Sequence, residues 1–240
     1  MATQTVPMRT AGWVPDELAM AGRENLDPAH VARYDGKMDA DAAAEVALLA
    51  DLGLGAASTV VEFGPGAGQF TIAAAPRCAK VIAVDVSPPM LARLREKLAA
   101  ARLANVELVE GGFLSYAHQG GPADFVYSRF ALHHLPDVWK AMALQRVRAM
   151  LRPGGVFRLW DVVYDFPLAE AAERFEAWCA LGGEVVDGEW SRAEMEEHVR
   201  DEHSTFSWLL EPMLAQAGFE IAEVVRSADR FEAKYLLRAV

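Results

Sequence analysis

The sequence predicts an α/β protein with one mixed sheet and helices on both faces. From Thr59 onward, short β-branched runs alternate with longer helical runs, the pattern of β-α-β units with parallel strands. The end of the chain differs, because two strand-like runs, 218–227 and 230–240, are separated only by a short turn. Strands joined so closely can pair only in antiparallel fashion. The sheet is therefore predicted to end in a hairpin.

The individual elements follow from local patterns. The predicted strands before the hairpin are 59–63, 80–85, 105–110, 123–128 and 156–163. A helix is predicted at 69–75, and another begins after the N-cap Ser87, with Pro88 in its first turn. A third is predicted from an Asp137 cap to about residue 151, where RPGG (152–155) stops it.

Two segments fall outside the predicted sheet. Residues 1–58 form a predicted N-terminal helical cap, with helix starts at Asp27-Pro28 and at Asp39. Residues 59–240 form the main domain, interrupted by a helical insert at 165–205 with predicted helices at 168–181 and 191–202. The second of these opens with Ser191 and Glu194 at capping-box spacing. Inserts that form their own helices are often lids, so the insert is predicted to cover a site.

Composition limits the classes of partner. The 240 residues carry a formal net charge of −11 and have a pI near 5.0, which disfavours nucleic acid and anionic membranes. No apolar run approaches the ~18 residues of a membrane span, and no basic-then-apolar leader is visible. Cys78 and Cys179 show no metal-binding or redox spacing and are predicted to be free thiols. We therefore expect a soluble, cytoplasmic protein that acts on a small molecule.

A glycine-rich loop follows the first predicted strand, in the stretch VVEFGPGAGQF. Gly64, Gly66 and Gly68 would let the chain turn sharply and let a ligand lie against the backbone. Ligands of doubly wound sheets bind at the carboxyl ends of the strands, and the helix that follows offers free N–H groups. The loop is therefore predicted to hold a ligand.

Two kinds of ligand compete for this loop. Asp85 ends the next strand and can accept hydrogen bonds from both hydroxyls of a ribose, which does not separate a dinucleotide from a ribose-bearing zwitterion. A dinucleotide loop would read G-x-G-x-x-G, whereas here the third glycine comes one residue earlier. Glu62, just before the glycines, suits the ammonium group of a zwitterion better than a pyrophosphate. A nicotinamide-dependent oxidoreductase is thus the less favoured alternative.

Four motifs together carry a family resemblance. EFGPGAG, VIAVDVSPPML, ADFVYSRFALHHLPD and MLRPGGVFRLWD occur in the order seen in class I S-adenosylmethionine-dependent methyltransferases. The similarity is to the small-molecule branch that includes the ubiquinone/menaquinone-biosynthesis enzymes. It implies a Rossmann-like seven-stranded sheet of order 3-2-1-4-5-7-6 with the last strand antiparallel. It also implies S-adenosylmethionine (SAM) as cofactor and S-adenosylhomocysteine (SAH) as product.

The resemblance also implies cofactor-binding residues by position. From methionine to adenine these are Gly64, Gly66 and Gly68 with Glu62 beneath them, Ser128, Arg129 and His133 at the sulfonium, Asp85 at the ribose, and Val86, Met90, Gly112 and Phe113 at the adenine. Tyr34 matches a tyrosine that closes over the cofactor. The chain departs from the family at Gly112, where an aspartate usually accepts a hydrogen bond from the adenine amino group.

Catalytic candidates are less well defined. Methyl transfer mainly requires alignment and exclusion of water, and a general base helps with some acceptors. The candidate bases are His133, His134, His198 and His203, of which His133, His134 and His203 are favoured. Residues 196–206 (EEHVRDEHSTF) crowd histidines and acids, but helical charge spacing of this kind is common, and no metal site is predicted. Aromatic residues in the insert favour an apolar or planar acceptor.

Three functions remain open at this point. The leading prediction is methyl transfer from SAM to a small, apolar or aromatic molecule. The second is a SAM- or SAH-binding protein that performs no methyl transfer or a different reaction, and the third is the oxidoreductase. The expected partner is a small-molecule acceptor, with neither nucleic acid nor membrane, and a homodimer is compatible with the sequence.

Overall fold

The computed structural model describes residues 12–22, 42–183 and 190–240 and contains one mixed sheet. Its strands are β1 (Thr59–Phe63), β2 (Lys80–Asp85), β3 (Val106–Glu110), β4 (Ala123–Arg129), β5 (Leu151–Tyr164), β6 (Thr205–Phe206), β7 (Phe219–Arg226) and β8 (Glu232–Ala239). The order is β3-β2-β1-β4-β5-β8-β7, with β8 antiparallel to both of its neighbours. This confirms the predicted fold and order, apart from β6, which pairs with the end of β5.

Helices cover both faces of the sheet. They are α1 (Glu17–Met20), α2 (Ala42–Asp51), α3 (Gln69–Ala74), α4 (Pro88–Ala101), α5 (Asp137–Met150), α6 (Ala171–Cys179), α7 (Arg192–Asp201) and α8 (Ser207–Gln216). Short 3₁₀ turns occupy 75–77, 132–134 and 168–170. No helix in the described ranges is both long and apolar enough to cross a bilayer.

The structure confirms some predicted boundaries and corrects others. Ser87 caps α4 by accepting a hydrogen bond from the Met90 amide at 3.2 Å. Asp137 does not cap α5: Pro136 holds the cap position, and the Asp137 carboxylate accepts from Lys140 at 2.9 Å instead. RPGG lies inside the long β5, so the predicted strand began too late. The predicted helix starts at Asp27-Pro28 and Asp39 lie outside the described residues.

One buried ion pair fastens α2 to the sheet. The Arg158 guanidinium of β5 donates to both carboxylate oxygens of Glu45, at 2.7 and 2.9 Å. Both side chains are buried, and Lys234 of β8 lies 3.9 Å from the same carboxylate. Removing one partner would leave an uncompensated charge in the core, so the pair fixes the position of α2.

The insert packs on the sheet through an aromatic cluster. Its buried members are Val162, Tyr164, Phe166 and Phe231, and Phe130, Phe175, Trp178 and Phe206 pack around them. Phe175 and Trp178 share a face of α6 as predicted, since both rings contact that of Phe231. The Ser191–Glu194 capping box at the start of α7 is also confirmed. The insert therefore lies over the carboxyl end of β5.

Candidate functional site

A cleft opens at the carboxyl ends of β1, β2 and β4. Its walls are formed by the glycine loop, the segment after β3, the segment after β4 and helix α1. The lining residues are Glu17, Ala21, Phe63, Gly64, Gly66, Val84, Asp85, Val86, Gly111, Gly112, Phe113, Arg129, Phe130, Ala131, His134 and Leu135. The cleft is thus where a doubly wound sheet holds its ligand.

The glycine loop requires glycine at two positions. Gly64 has a φ of +68°, and a Cβ there would lie 2.5 Å from the Cβ of Ala131. Gly68 has a φ of +84° and precedes α3, and a Cβ there would collide with the side chain of Leu94. The loop can therefore follow this path, close to the segment after β4, only if positions 64 and 68 carry no side chain.

Two buried carboxyl groups support this loop. Asp85 accepts hydrogen bonds from the backbone amides of Gly66, at 3.1 Å, and Ser87, at 2.8 Å. Burial raises the pKa of Asp85 to about 6, although these amide bonds oppose the rise. Burial likewise raises the pKa of Glu62 to about 8, against the hydrogen bond that Thr71 donates to it. The acid that faces the cleft, Asp85, is therefore largely ionised at neutral pH, and Glu62 beneath it is largely protonated.

Helix α1 supplies a carboxylate that the sequence analysis did not predict. Glu17 accepts hydrogen bonds from the amides of Leu114 and Ser115, both at 2.9 Å. A Cβ at Gly112 would lie well within van der Waals distance of this carboxylate. Glu17 therefore occupies the space that an aspartate at position 112 would fill. The signal that could have suggested it was the missing acid at Gly112.

Behind the segment after β4 lies a histidine–carboxylate cluster. His133 Nδ1 lies 2.5 Å from Asp161 Oδ1, and His133 Nε2 lies 3.1 Å from Glu202 Oε2. His198 Nδ1 approaches the same oxygen of Glu202. Burial alone would lower the pKa of His133, but the two carboxylates outweigh it and raise this pKa to about 10. With both ring nitrogens engaged, His133 is poorly suited to be a general base.

His134 is the histidine that lines the cleft. Its Nδ1 is buried without a hydrogen-bond partner, and burial lowers the pKa of the ring to about 3. The ring is therefore neutral at physiological pH and can accept or donate a hydrogen bond. Phe130, also in the wall, has a φ of +50°, which bulky residues rarely adopt.

The predicted site residues divide into three groups. Those in the cleft lining are Gly64, Gly66, Asp85, Val86, Gly112, Phe113, Arg129 and His134. Those buried behind the lining are Glu62, Met90, Ser128 and His133, and Gly68 begins α3. His203 is exposed and lies outside the lining, although its backbone amide donates to the His133 carbonyl at 2.9 Å. Tyr34 lies outside the described residues.

Comparison with known proteins bears on this geometry. Residues 60–155 match a family model described as a methyltransferase domain. This part of the chain is therefore similar to a methyltransferase domain. The matched segment runs from β1 through the start of β5, so it includes the glycine loop, Asp85 and the histidine pair.

Two curated relatives illustrate the similarity. An uncharacterized methyltransferase, GK2543 of Geobacillus kaustophilus, is 32% identical over 45% of this chain and 49% of its own length. An arsenite methyltransferase of Halobacterium salinarum is 29% identical over 92% of this chain and 52% of its own length. The chain thus spans about half the length of these two relatives. Their similarity supports the domain assignment.

Solved structures share the fold. A SAM-dependent methyltransferase of Aquifex aeolicus superposes with a TM-score of 0.60 at 19% identity, covering 90% of this chain and all of that one. The N-methyltransferase NodS of Bradyrhizobium japonicum, solved with SAH, gives a TM-score of 0.56 at 20% identity, covering 84% and 89%. The chain therefore has the fold of these solved methyltransferases.

The comparisons support SAM as the cofactor, and the described cleft fits it. Asp85 presents its carboxylate at the cleft, where the family resemblance predicts the two ribose hydroxyls, and the loop from Gly64 to Gly68 leaves backbone free for close approach. Glu17 adds an acceptor beside Gly112, where the adenine end is expected. When bound, SAM supplies an electrophilic methyl group on a sulfonium, so the protein needs to provide only alignment and shelter from water.

Proposed function

We propose that the protein transfers the methyl group of SAM to a small organic acceptor with an apolar or planar surface. One observation carries this proposal: Phe130 lines the cofactor cleft and also packs against the aromatic cluster of the insert. An apolar wall therefore runs from the predicted sulfonium end toward the insert. A planar acceptor lying along that wall would have its nucleophile directed toward the cleft.

The proposed role of this chain's residues is to position the acceptor relative to the methyl group of SAM. His134 is neutral and borders the cleft, so it can hold an acceptor hydroxyl or amine by a hydrogen bond. A base with so low a pKa removes protons poorly at neutral pH, and His133 is engaged by two carboxylates. Alignment of the acceptor with the methyl group is therefore the proposed main source of rate. Arg129, stacked 3.9 Å over the Trp160 ring, would border the methionine end.

The arsenite relative raises an inorganic acceptor as an alternative. Arsenite is a soft, thiol-seeking species, and soft centres bind cysteine thiolates. Cys78 and Cys179 are both buried, on separate elements, and burial raises the pKa of both thiols. Neither thiol lines the cleft. An organic acceptor therefore accords better with the described residues, and the resemblance to quinone-biosynthesis methyltransferases directs the search toward phenols and quinols.

The test has two stages. Calorimetric titration with SAM and SAH should show micromolar binding to wild type and to a control, Asp51→Ala, on the exposed face of α2, and loss of binding in Asp85→Ala. A panel of phenols, quinols, amines and arsenite is then assayed for SAH release. Binding without release from any acceptor would favour the binding-protein alternative, and no binding by folded protein would overturn the proposal.

A further inference from the structure

His133, His198 and Glu202 form a three-residue group with the spacing of metal ligands. One ligand atom from each of the three residues lies within 4.8 Å of the ligand atoms of the other two. His133 belongs to the 3₁₀ turn after β4, whereas His198 lies on α7 and Glu202 just after it. The helical spacing of four residues places His198 and Glu202 on one face of the insert, turned toward His133.

The outer nitrogen of each imidazole is held by a neighbouring group. His133 Nδ1 faces the Asp161 carboxylate, which can only accept, so Nδ1 keeps its proton, and Nε2, which faces Glu202, would release its own proton to bind a cation. His198 Nε2 lies 2.9 Å from the Ser204 hydroxyl, and its Nδ1 faces Glu202. Orienting partners of this kind typically accompany metal-binding histidines.

One oxygen of Glu202 faces two imidazole nitrogens. This Oε2 is buried, lies 3.1 Å from His133 Nε2 and is also approached by His198 Nδ1, but neither contact has the geometry of a full hydrogen bond. A buried carboxylate oxygen is costly to leave without well-formed hydrogen bonds. A cation at the centre of the three ligand atoms would satisfy the oxygen and both nitrogen lone pairs together.

We propose that His133, His198 and Glu202 bind one divalent transition-metal cation of the Zn²⁺ class. Two imidazoles and one carboxylate suit zinc and its neighbours better than Mg²⁺ or Ca²⁺, which prefer all-oxygen sites. The 3.1 Å between His133 Nε2 and Glu202 Oε2 is close to the ~3.3 Å edge of a tetrahedron with ~2.0 Å bonds. A small rotation of the His198 ring would bring in the third ligand.

The cation would join the insert to the wall of the cleft. His133 adjoins His134, whose ring centroid lies 4.3 Å from its own and which lines the cleft. The other two ligands of the cation, His198 on α7 and Glu202 just after it, belong to the insert. Metal binding would therefore fix the insert over the site and hold His134 in place. This inference does not depend on methyl transfer.

The first test is metal binding by the full-length chain without cofactor. Wild type should bind about one equivalent of Zn²⁺ by titration calorimetry and should give visible Co²⁺ bands typical of low coordination number. His198→Gln and Glu202→Gln should lose this binding, and Asp161→Asn should weaken it about 10- to 100-fold. His118→Gln is the matched control, because this histidine contacts Tyr116 and Gly121 outside the cluster.

A second readout separates a real site from loss of structure. Bound Zn²⁺ should slow tryptic cleavage at Arg192 and Arg200 in α7 of wild type and leave the rate unchanged in Glu202→Gln. Circular dichroism and SAH titration verify that each variant is folded. No stoichiometric binding by wild type, or equal binding in the ligand variants, would overturn the proposal and identify the cluster as a metal-free ion-pair network.

Discussion

The carboxylate of Glu17 occupies the space that a side chain at position 112 would fill. Glu17 comes from helix α1 and is anchored by the amides of Leu114 and Ser115, 97 and 98 residues later in the chain. Gly112 leaves the room that this carboxylate needs. We infer that Glu17 takes over the adenine contact that the departure at Gly112 removes, so that the cofactor site includes the N-terminal segment.

Moving the acid from position 17 to position 112 tests this inference. Glu17→Ala should weaken SAH binding about 10- to 100-fold, the value of a charge-assisted hydrogen bond of about 1.5–3 kcal/mol. The double variant Glu17→Ala/Gly112→Asp should recover much of the loss, because the acid is then supplied by the family position. Titration calorimetry measures both, with the exposed Glu96→Ala as control. Unchanged SAH affinity in Glu17→Ala would refute the role.

An adenine analogue sharpens this test. S-inosylhomocysteine carries a carbonyl oxygen in place of the adenine amino group, so the donor at that position is replaced by an acceptor that a carboxylate repels. Wild type should bind it more weakly than SAH, whereas Glu17→Ala should bind the two similarly. A discrimination that survives in Glu17→Ala would place the acceptor elsewhere.

Cofactor binding should depend on pH through Asp85. Its pKa is about 6 in the free protein, and ribose hydroxyls donate to the ionised form. SAH affinity should therefore fall as the pH drops from 7 to 5, by up to about tenfold per unit, and should level off above pH 7. Asp85→Asn should bind weakly with little pH dependence. The titrations are repeated in Glu62→Gln, because Glu62 titrates near 8 and would otherwise contribute.

Glu62 should make the fold less stable as pH rises. Its folded pKa, about 8, lies above its ordinary value, so the unfolded chain releases this proton first. The stability that the protonated carboxyl contributes is complete below about pH 4.5 and is lost as the pH rises through 8. Glu62→Gln should therefore flatten the decline of Tm between pH 5 and 8. The exposed Glu220→Gln should keep the wild-type slope, and an unaltered slope in Glu62→Gln would contradict the prediction.

Removing one partner of the Glu45–Arg158 pair should lower the free energy of unfolding more than replacing both partners by apolar residues. Arg158→Met leaves the Glu45 carboxylate buried without its partner, with an expected loss of about 3–5 kcal/mol in the free energy of unfolding. Glu45→Leu/Arg158→Met should be distinctly more stable than Arg158→Met. Urea denaturation measures both, and the exposed Arg200→Met is expected within about 0.5 kcal/mol of wild type. A double variant that is no more stable than Arg158→Met would contradict the prediction.

The local motifs of the site could be predicted from sequence, and its long-range contacts could not. The glycine loop and Asp85 were found because each sits at the end of an apolar run, where strand, turn and helix signals agree. Met90 and Ser128 are close to the cleft in sequence but are buried from it, because burial depends on the packing of whole elements. Glu17 was missed because no local pattern joins positions so far apart.

The histidine cluster shows the same limit. The sequence places His198, Asp201, Glu202 and His203 close together along the chain. In the structure, the end of α7 turns His198 and Glu202 inward and leaves Asp201 and His203 exposed. Asp161 was overlooked, although a lone acid inside the apolar run VFRLWDVV was a usable signal. Partners in a parallel sheet are separated by whole crossovers, so spacing alone does not reveal them.

At Phe130, in the wall of the cleft, an unfavourable backbone conformation is combined with favourable aromatic packing. A bulky residue in the left-handed region costs the backbone about 1–2 kcal/mol, which the aromatic packing around this ring must offset. Glycine at this position would relieve that strain and remove the apolar surface that joins the cofactor to the insert. The strained backbone at Phe130 therefore lowers the stability of this loop, while the packed ring gives the wall of the cleft its shape in the absence of a ligand.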